Sequence, residues 1–253
     1  MNSFAGSLTE HAYRYVRDKI LRGELAFGTP LSRRAFAEEL GISIVPVGDA
    51  LQRLETEGLV ESRPRVGTRV RIPTTKAVRG HFILREALET QSARIFAEKA
   101  SLQERDEIVS RAAELDRLYE SSSDDGESSR DSLYHLHQIH MQFHMRIAEC
   151  SGCDELCQAI ENNQVLIFNW LYDIALGNPA PLPKWHSQLA EALVSGDPQI
   201  ADAAMRRHTT YRMEEHLQRL ALYSGWTDSR VDVFTKRPRR RNGSAAESDR
   251  DND

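Results

Sequence analysis

The chain has 253 residues, of which 40% are hydrophobic and 28% are charged, a composition typical of a globular protein with one large or two small domains. No apolar run approaches the roughly 18 residues that a membrane-spanning helix needs. The N-terminal residues also lack the basic and apolar segments of a secretory signal. The three cysteines exclude an extensive disulfide framework, so we expect a cytoplasmic protein.

The net charge of -5 is unevenly distributed along the chain. Residues 1–72 carry 11 Lys and Arg against 9 Asp and Glu, whereas residues 73–225 carry 15 against 23. A mildly basic first part beside an acidic second part is compatible with nucleic-acid binding by the first part alone.

Three short helices are predicted at the front of the chain from apolar residues spaced along one helical face. Ser32 and Ser43 stand where the second and third helices need N-caps. Pro46 falls in the first turn of the third helix, where proline is tolerated. The predicted helices cover residues 12–22, 32–40 and 43–57.

A hairpin is predicted directly after these helices. Residues 59–63 and 68–72 alternate between polar and apolar side chains, and turn-forming residues separate them. Three helices and a hairpin predict a winged helix-turn-helix domain over residues 1–72. In such a domain the third helix enters the major groove and the hairpin meets the DNA backbone or the minor groove.

Arginines are concentrated on the elements that would face DNA. Such side chains neutralise phosphates and release counterions, while the start of the third helix would meet base edges. The alternative is a small helical domain with ordinary surface arginines. The candidate DNA-binding residues are Arg33, Arg34, Ser43, Ile44, Val45, Pro46, Arg53, Arg63, Arg65, Gly67 and Arg69.

The rest of the chain is predicted to be helical almost to its end, so the fold class is mainly α. Residues 73–78 are predicted as a linker, and residues 79–225 as an antiparallel bundle of six helices with short connections. Residues 226–253 lack periodicity and are predicted to be disordered. The predicted bundle helices cover about 78–100, 102–120, 131–149, 154–176, 183–195 and 198–223.

Four histidines of the predicted bundle form a candidate metal site. His140 and His144 are one turn apart on one helix face, and His186 and His208 lie in the last two predicted helices. Three antiparallel helices can direct these imidazoles to one interior point, which would suit Zn²⁺, Ni²⁺ or a similar divalent metal. The spacing alone is equally compatible with partly buried histidines in ordinary hydrogen bonds.

Two further sets of polar residues in the bundle leave alternatives open. Cys150 and Cys153 form a Cys-x-x-Cys pair that could be redox-active, although no second pair completes a four-sulfur site. Several amides interrupt an otherwise apolar helix and either line a cavity or face outwards. These amides are Asn162, Asn163, Gln164 and Asn169.

Residues 12–72 resemble the GntR family of bacterial regulators. The resemblance is carried by LRGELAFGTPLSRRAFAEELGISIVPVGDALQRLETEGLVESRPRVGTRV, notably by the Gly-Leu-Val after the third helix and by Gly67 at the wing tip. It implies a transcriptional regulator that binds double-stranded operator DNA through its winged helix, as a homodimer on two half-sites.

The start of the third helix departs from the pattern of that family. The family usually reads Ser-Arg-Thr-Pro-Val-Arg-Glu-Ala-Leu, whereas residues 43–51 read Ser-Ile-Val-Pro-Val-Gly-Asp-Ala-Leu. Ile44 and Gly48 replace the two arginines that such proteins typically direct to DNA. We expect an atypical operator, read mainly through Arg34, the wing and DNA shape, with thymine methyls against Ile44 or Val45. The alternative is that DNA binding has decayed.

Residues 80–222 resemble the FCD ligand-binding domain of the FadR-like branch of that family. The matching segments are FILREALETQSARIFAEKA, HMQFHMRIAECSGCDEL and WHSQLAEALVSGDPQIADAAMRRH. In that family an aspartate and three histidines hold a metal. The matching residues here are His140, which stands in place of the aspartate, and His144, His186 and His208. An all-nitrogen site favours Zn²⁺, Ni²⁺ or Cu²⁺ over Mg²⁺ or Mn²⁺.

The same resemblance implies a role for Arg85 in effector binding. In the family the matching arginine points into the bundle and pairs with a carboxylate of the effector, for which a guanidinium is well suited. The effector would then be a small organic acid, and the protein a ligand-responsive regulator, in our interpretation a repressor. The alternative for Arg85 is a surface or helix-end charge.

A helical-bundle metalloenzyme is the competing class of protein. The sequence lacks the Glu-x-x-His pairs of di-iron bundles, and no His-Glu-x-x-His motif accompanies the histidines. We therefore expect a regulator without enzymatic activity.

Overall fold

The computed structural model describes residues 2–124, 130–175 and 182–221. These residues are mainly helical with one small sheet, which confirms the predicted fold class. The helices of the front part are α1 (Asn2–Leu21), α2 (Arg33–Leu40) and α3 (Ile44–Thr56), and its strands are β1 (Pro30–Leu31), β2 (Val60–Arg63) and β3 (Gly67–Val70). The helices that follow are α4 (Thr75–Lys99), α5 (Leu102–Asp124), α6 (Arg130–Glu149), α7 (Asp154–Ala175), α8 (Trp185–Val194) and α9 (Pro198–Thr210).

The front part has the three helices and the wing of a winged helix-turn-helix. Val16 of α1 and Val47 and Leu54 of α3 are fully buried in its core, as expected for helices with one apolar stripe. The backbone N–H of Ala35 donates to Ser32 Oγ over 3.2 Å, so the predicted cap of α2 is confirmed. Ser43 precedes α3 but makes no capping hydrogen bond with its side chain.

The sheet contains one strand more than the sequence predicts. Strands β2 and β3 form the predicted antiparallel hairpin, with Arg63 opposite Gly67. Strand β1 pairs with the other edge of β3, so the order is β1-β3-β2. With only Pro30 and Leu31, β1 is too short to show an alternating pattern.

The helical part differs from the prediction at both of its ends. Helix α4 begins at Thr75, inside the predicted linker 73–78, and Thr74 Oγ1 caps it by accepting from Ala77 N over 3.1 Å. The last predicted helix is broken after α9, because Arg212 adopts a left-handed backbone with φ of 57°. A separate helical segment then covers residues 213–221.

Two hydrophobic cores stabilise the fold, and α4 contributes to both. Val78 and Phe82 near its start join the core of the front part, together with Leu217 and Leu220 of the last helical segment. Its second half packs among α5, α6, α8 and α9. Among the described residues, no helix has both the length and the hydropathy needed to cross a lipid bilayer. The predicted disordered tail, 226–253, lies outside the described residues.

Candidate functional site

Three of the four predicted metal-binding histidines meet inside the helical part. His140 and His144 lie on the inner face of α6, and His208 lies near the end of α9. His144 Nε2 is 2.9 Å from His140 Nε2 and 3.2 Å from His208 Nε2. Their ligand nitrogens all lie within 4.8 Å of one another, a separation that one bound cation can bridge.

His186 lies beside this group and outside it. Its ring centroid is 4.9 Å from that of His140 and 5.2 Å from that of His208. Asp116 of α5 holds the ring in this place, because its Oδ1 is 2.7 Å from His186 Nδ1. His186 Nε2 is buried without a hydrogen-bond partner among the described residues, so a lone pair is available there.

Two buried carboxylates stand behind the imidazoles, and the sequence did not reveal them. Glu89 Oε2 lies 2.6 Å from His144 Nδ1, as Asp116 does from His186 at 2.7 Å. A carboxylate at Nδ1 favours the tautomer that carries its proton there and leaves Nε2 as an acceptor. Such outer partners are typical of metal-binding histidines. The available signal in the sequence was one acidic residue on the inner face of each helix, Glu89 on α4 and Asp116 on α5.

Asp116 also fixes the start of α8. The backbone N–H groups of His186 and Ser187 donate to its carboxylate over 3.0 and 2.9 Å, and Ser187 Oγ donates over 2.6 Å. Burial raises the pKa of Asp116, but these hydrogen bonds and that of His186 outweigh burial and bring the pKa to about 2. The carboxylate therefore stays ionised and orients His186.

Arg85 points into the site, and its role in effector binding stays a prediction. Its Nε donates to Glu89 Oε1 over 3.0 Å, and its Nη2 is 3.5 Å from His144 Nε2. Gln164 Nε2 of α7 donates to the same Glu89 oxygen over 3.3 Å. Burial raises the pKa of Glu89, but Arg85 and His144 more than offset it and bring the pKa to about 2. Of the α7 amides, Asn163 and Gln164 thus face inwards, and Asn162 is exposed.

Three of the four candidate imidazoles are in the protonation state that binds metals. Burial lowers the pKa values of His140, His186 and His208 below the ordinary value. Neutral imidazole is the metal-ligating form. The converging Nε2 atoms, the neutral rings of His140 and His208 and the unpartnered Nε2 of His186 fit a divalent transition metal. Cys150 differs, because burial raises the pKa of its thiol to about 12, which disfavours a reactive thiolate.

The start of α3 and the tip of the wing present apolar side chains on the surface. Ile44 and Val45 are 52% and 70% exposed, and Val66 in the wing is 75% exposed. Ser43 is exposed as well, and a side chain on Gly67 would meet open space. The prediction of Pro46 as a DNA contact is wrong, because its ring is buried against the core.

Several candidate arginines are engaged within the protein itself. Arg53 bonds to Glu10 over 2.8 Å and to Glu57 over 3.1 Å, and its guanidinium lies 3.7 Å from the centre of the Tyr13 ring. This arrangement links α3 to α1, and since the Arg53 side chain is still 49% exposed, its DNA contact stays a prediction.

The wing arginines and Arg34 differ in how strongly they are held. Arg69 pairs with Glu61 of the neighbouring strand over 2.5 Å and is only 20% exposed, and its DNA contact stays a prediction. Arg34 pairs with Glu38 over 2.9 Å at the surface, and Arg63 lies 3.6 Å from Glu61. Within the described chain, Arg33 and Arg65 form no ion pair.

The front part is a winged helix-turn-helix with an exposed third helix, and a helical domain with buried histidines follows it. This combination defines the class of protein as a DNA-binding regulator. Comparison with family models agrees. Residues 8–70 match the model of the bacterial regulatory proteins of the gntR family, and residues 82–211 match the FCD domain. The chain belongs to the GntR family of transcriptional regulators that carry an FCD domain.

Individual relatives are regulators rather than enzymes. The chain is 27% identical to a probable D-xylose utilization operon transcriptional repressor of Paenarthrobacter nicotinovorans, over 85% of this chain and 89% of that protein. It is 24% identical to the repressor RspR of Escherichia coli, over 79% and 85%. A GntR-type regulator from Rhodococcus sp. RHA1 has the same fold, with a TM-score of 0.68 at 19% identity, covering 84% of this chain and 98% of that one.

Proposed function

We propose that the protein is a ligand-responsive repressor whose helical domain binds a divalent metal and a small organic acid. The observation that carries this proposal is the convergence of three imidazole rings beside an inward-pointing guanidinium. Membership in a family of DNA-binding regulators supports an output at an operator. This proposal includes the division into two domains at residues 73–78. It is supported by the two family matches, of which the first ends at residue 70 and the second begins at residue 82.

The metal would be held by His140, His144 and His208, with His186 as a fourth ligand. These donors are all nitrogen, which favours Zn²⁺ or Ni²⁺ over ions that prefer oxygen. When bound, the metal would supply Lewis acidity toward an oxygen ligand. Glu89 and Asp116 would orient the rings from behind, since each lies at an Nδ1 atom.

The effector would be a carboxylate that pairs with Arg85. The side chain of Arg85 is 14% exposed, and its guanidinium lies between Glu89 and His144. A guanidinium in this position suits bidentate recognition of a carboxylate. Because Arg85 Nε donates to Glu89, part of the charge of Arg85 is already balanced, and its Nη2 lies toward His144.

The output would be binding to double-stranded DNA in the cytoplasm by a homodimer. Two copies of α3 would meet successive half-sites of an operator. An effector can alter this binding only if it favours one arrangement of the two parts over the other.

Metal analysis of the purified full chain tests the sensor half of the proposal. After removal and reloading with Zn²⁺, Ni²⁺, Mg²⁺ or Mn²⁺ in turn, we expect one Zn²⁺ or Ni²⁺ per chain and no retention of the oxygen-preferring ions. His144→Ala should abolish retention, and the exposed His11→Ala should not change it. Binding of Mg²⁺ or Mn²⁺ alone, or no metal at all, would contradict the proposal.

A selection from random DNA followed by footprinting tests the output. We expect a palindromic site with two protected half-sites. Absence of any sequence-specific complex would support decayed DNA binding and would overturn the regulatory function.

A further inference from the structure

Gly48 of α3 lies directly beside the guanidinium of Arg33 from α2. A Cβ atom on Gly48 would be 3.7 Å from Arg33 Nη1, and nothing else outside the helix among the described residues would lie within 4 Å of it. The guanidinium therefore occupies the space that a side chain at position 48 would enter. An arginine from α2 thus covers the gap that the glycine leaves on α3.

Arg33 is also unengaged, unlike its neighbours. Arg34 pairs with Glu38, and Arg53 pairs with two glutamates. The side chain of Arg33 is exposed and forms neither an ion pair nor a hydrogen bond within the described ranges. All N–H donors of its guanidinium are therefore available to a ligand.

In a helix-turn-helix domain, the helix that enters the major groove is the recognition helix, here α3. Arg33 lies on the side of α3 that would contact the bases. Ile44 is one helical turn before Gly48, so the two positions share one face of α3. Ile44 and the adjacent Val45 are 52% and 70% exposed. Residues in the N-terminal turns of a recognition helix contact base edges in the major groove. Arg33, which lies beside Gly48, is therefore on the same face of α3 as the apolar residues that would contact bases.

We propose that Arg33 reads a guanine in the operator, taking the place of an arginine on the recognition helix itself. This proposal rests on the proposed DNA binding and names the base that the site selects. A guanidinium can donate to both O6 and N7 of guanine. Ile44 and Val45 would contact thymine methyl groups next to it. The preferred half-site would contain a guanine flanked by thymine.

This arrangement requires a small residue at position 48 but does not require glycine itself. A methyl group there would be at an ordinary van der Waals distance from Arg33 Nη1, so alanine leaves the guanidinium in place. A long side chain would displace it. Glycine is a poor helix former, and the room it leaves for Arg33 gives a reason for its presence in α3.

Arg33→Lys tests the proposal, because lysine keeps the positive charge and loses the planar pair of donors. The full chain is first used to select its site from random DNA, and variants are then selected in parallel. We expect Arg33→Lys to bind the wild-type site about 5- to 100-fold more weakly. The preference for guanine should disappear at one base pair per half-site, while affinity for unrelated DNA and its salt dependence stay unchanged.

Two further variants complete the test. Arg111→Lys, which changes a surface arginine of α5 in the helical part, should leave every base preference intact. Gly48→Ala should also retain the guanine preference, whereas Gly48→Leu should lose it because the longer side chain displaces Arg33. Thermal melting establishes that each variant is folded.

Two results would overturn the inference. If Arg33→Lys weakens binding equally to all sequences and keeps the selected motif, Arg33 contacts phosphate only, and the proposed function stands. If the wild-type chain selects no motif at all, the inference and the proposed DNA binding both fail.

Discussion

At the scale of single residues, Glu89 is the carboxylate on which the candidate metal centre depends. It touches His144 Nδ1 at 2.6 Å and Arg85 Nε at 3.0 Å. Glu89→Gln removes the negative charge that lies beside His144 Nδ1. We expect zinc affinity to fall about 10- to 100-fold, measured by competition with a chromophoric chelator. The matched control is Glu98→Gln, at an exposed position of the same helix. An unchanged affinity would remove Glu89 from the site.

The sequence predicted the histidines and missed the carboxylates for a physical reason. His140 and His144 share a helix face by their spacing alone, and the resemblance added His186 and His208. The contact of Glu89 with His144 depends on how α4 packs against α6, which no local pattern contains. The same limit explains Arg53, whose partner Glu10 lies 43 residues away in the sequence. Contacts between helices therefore had to come from the structure.

At the scale of elements, Arg105 joins the ends of two helices. Its guanidinium donates to Ala97 O over 2.7 Å, to Ala100 O over 3.0 Å and to Val194 O over 2.8 Å. These carbonyls belong to the C-terminal ends of α4 and α8, where a cation is also favoured by the helix dipole.

Arg105→Met should therefore be strongly destabilising. The substitution keeps the aliphatic stem and removes the donors, leaving three carbonyls unpaired. We expect a loss of about 3 kcal/mol in the free energy of unfolding, measured by urea denaturation. Arg111→Met on the same helix, which loses only a surface pair with Glu107, should cost less than about 1 kcal/mol. Equal losses in the two variants would contradict this role of Arg105.

A second prediction at this scale concerns acid stability. His216 of the helical segment 213–221 stacks on Phe82, with ring centroids 6.4 Å apart. Burial lowers its pKa to about 4, from an ordinary 6.5. The folded state therefore favours the neutral ring, and this contribution is complete above about pH 6.5 and is lost as the pH falls toward 4.

Replacing His216 with phenylalanine should remove that part of the acid sensitivity. Between pH 7 and pH 5 we expect the wild-type chain to lose about 1–2 kcal/mol more unfolding free energy than His216→Phe does, after allowance for partial exposure. Urea denaturation at both pH values measures the difference. The exposed His11→Phe serves as the control and should lose as much as the wild type. Parallel pH profiles of the wild type and His216→Phe would exclude this contribution.

Element boundaries were predictable where a local signal marks them. Ser32 caps α2 as its side chain predicts, and the bundle helices were found from their apolar periodicity. The break at Arg212 was not predictable, because arginine rarely adopts positive φ and no glycine or proline marks the turn. Strand β1 was missed because its pairing with β3 is a long-range contact.

At the scale of the whole molecule, the two parts share a core that the sequence did not predict. Leu217 and Leu220 were assigned to the last bundle helix, yet they pack with Val78 and the helices of the front part. The bidentate pair between Arg79 and Glu214, at 2.6 and 3.0 Å, reinforces this contact. The break at Arg212 allows the chain to turn back toward the front part, so the two parts are in direct contact.

Helix α7 connects the candidate metal centre with the end of the recognition helix. Gln164 donates to Glu89 behind His144, and Leu166, two residues further on, packs against the core of the front part. A methyl group on Gly58 would lie 3.5 Å from Leu166 Cδ2. A shift of α7 on binding at the metal centre would therefore move a side chain that touches the loop after α3.

Leu166→Ala should accordingly weaken the coupling between the two sites more than it weakens either site. We expect the zinc affinity and the metal-free DNA affinity of the variant to stay within about threefold of the wild type. In the wild type, zinc should change the DNA affinity by about 5- to 150-fold, the range typical of coupled sites. In the variant this change should be several-fold smaller. DNA binding is measured by fluorescence anisotropy with and without zinc. Val109→Ala, at an exposed position of α5, is the control. If Leu166→Ala retains the full zinc-dependent change, coupling does not pass through this contact.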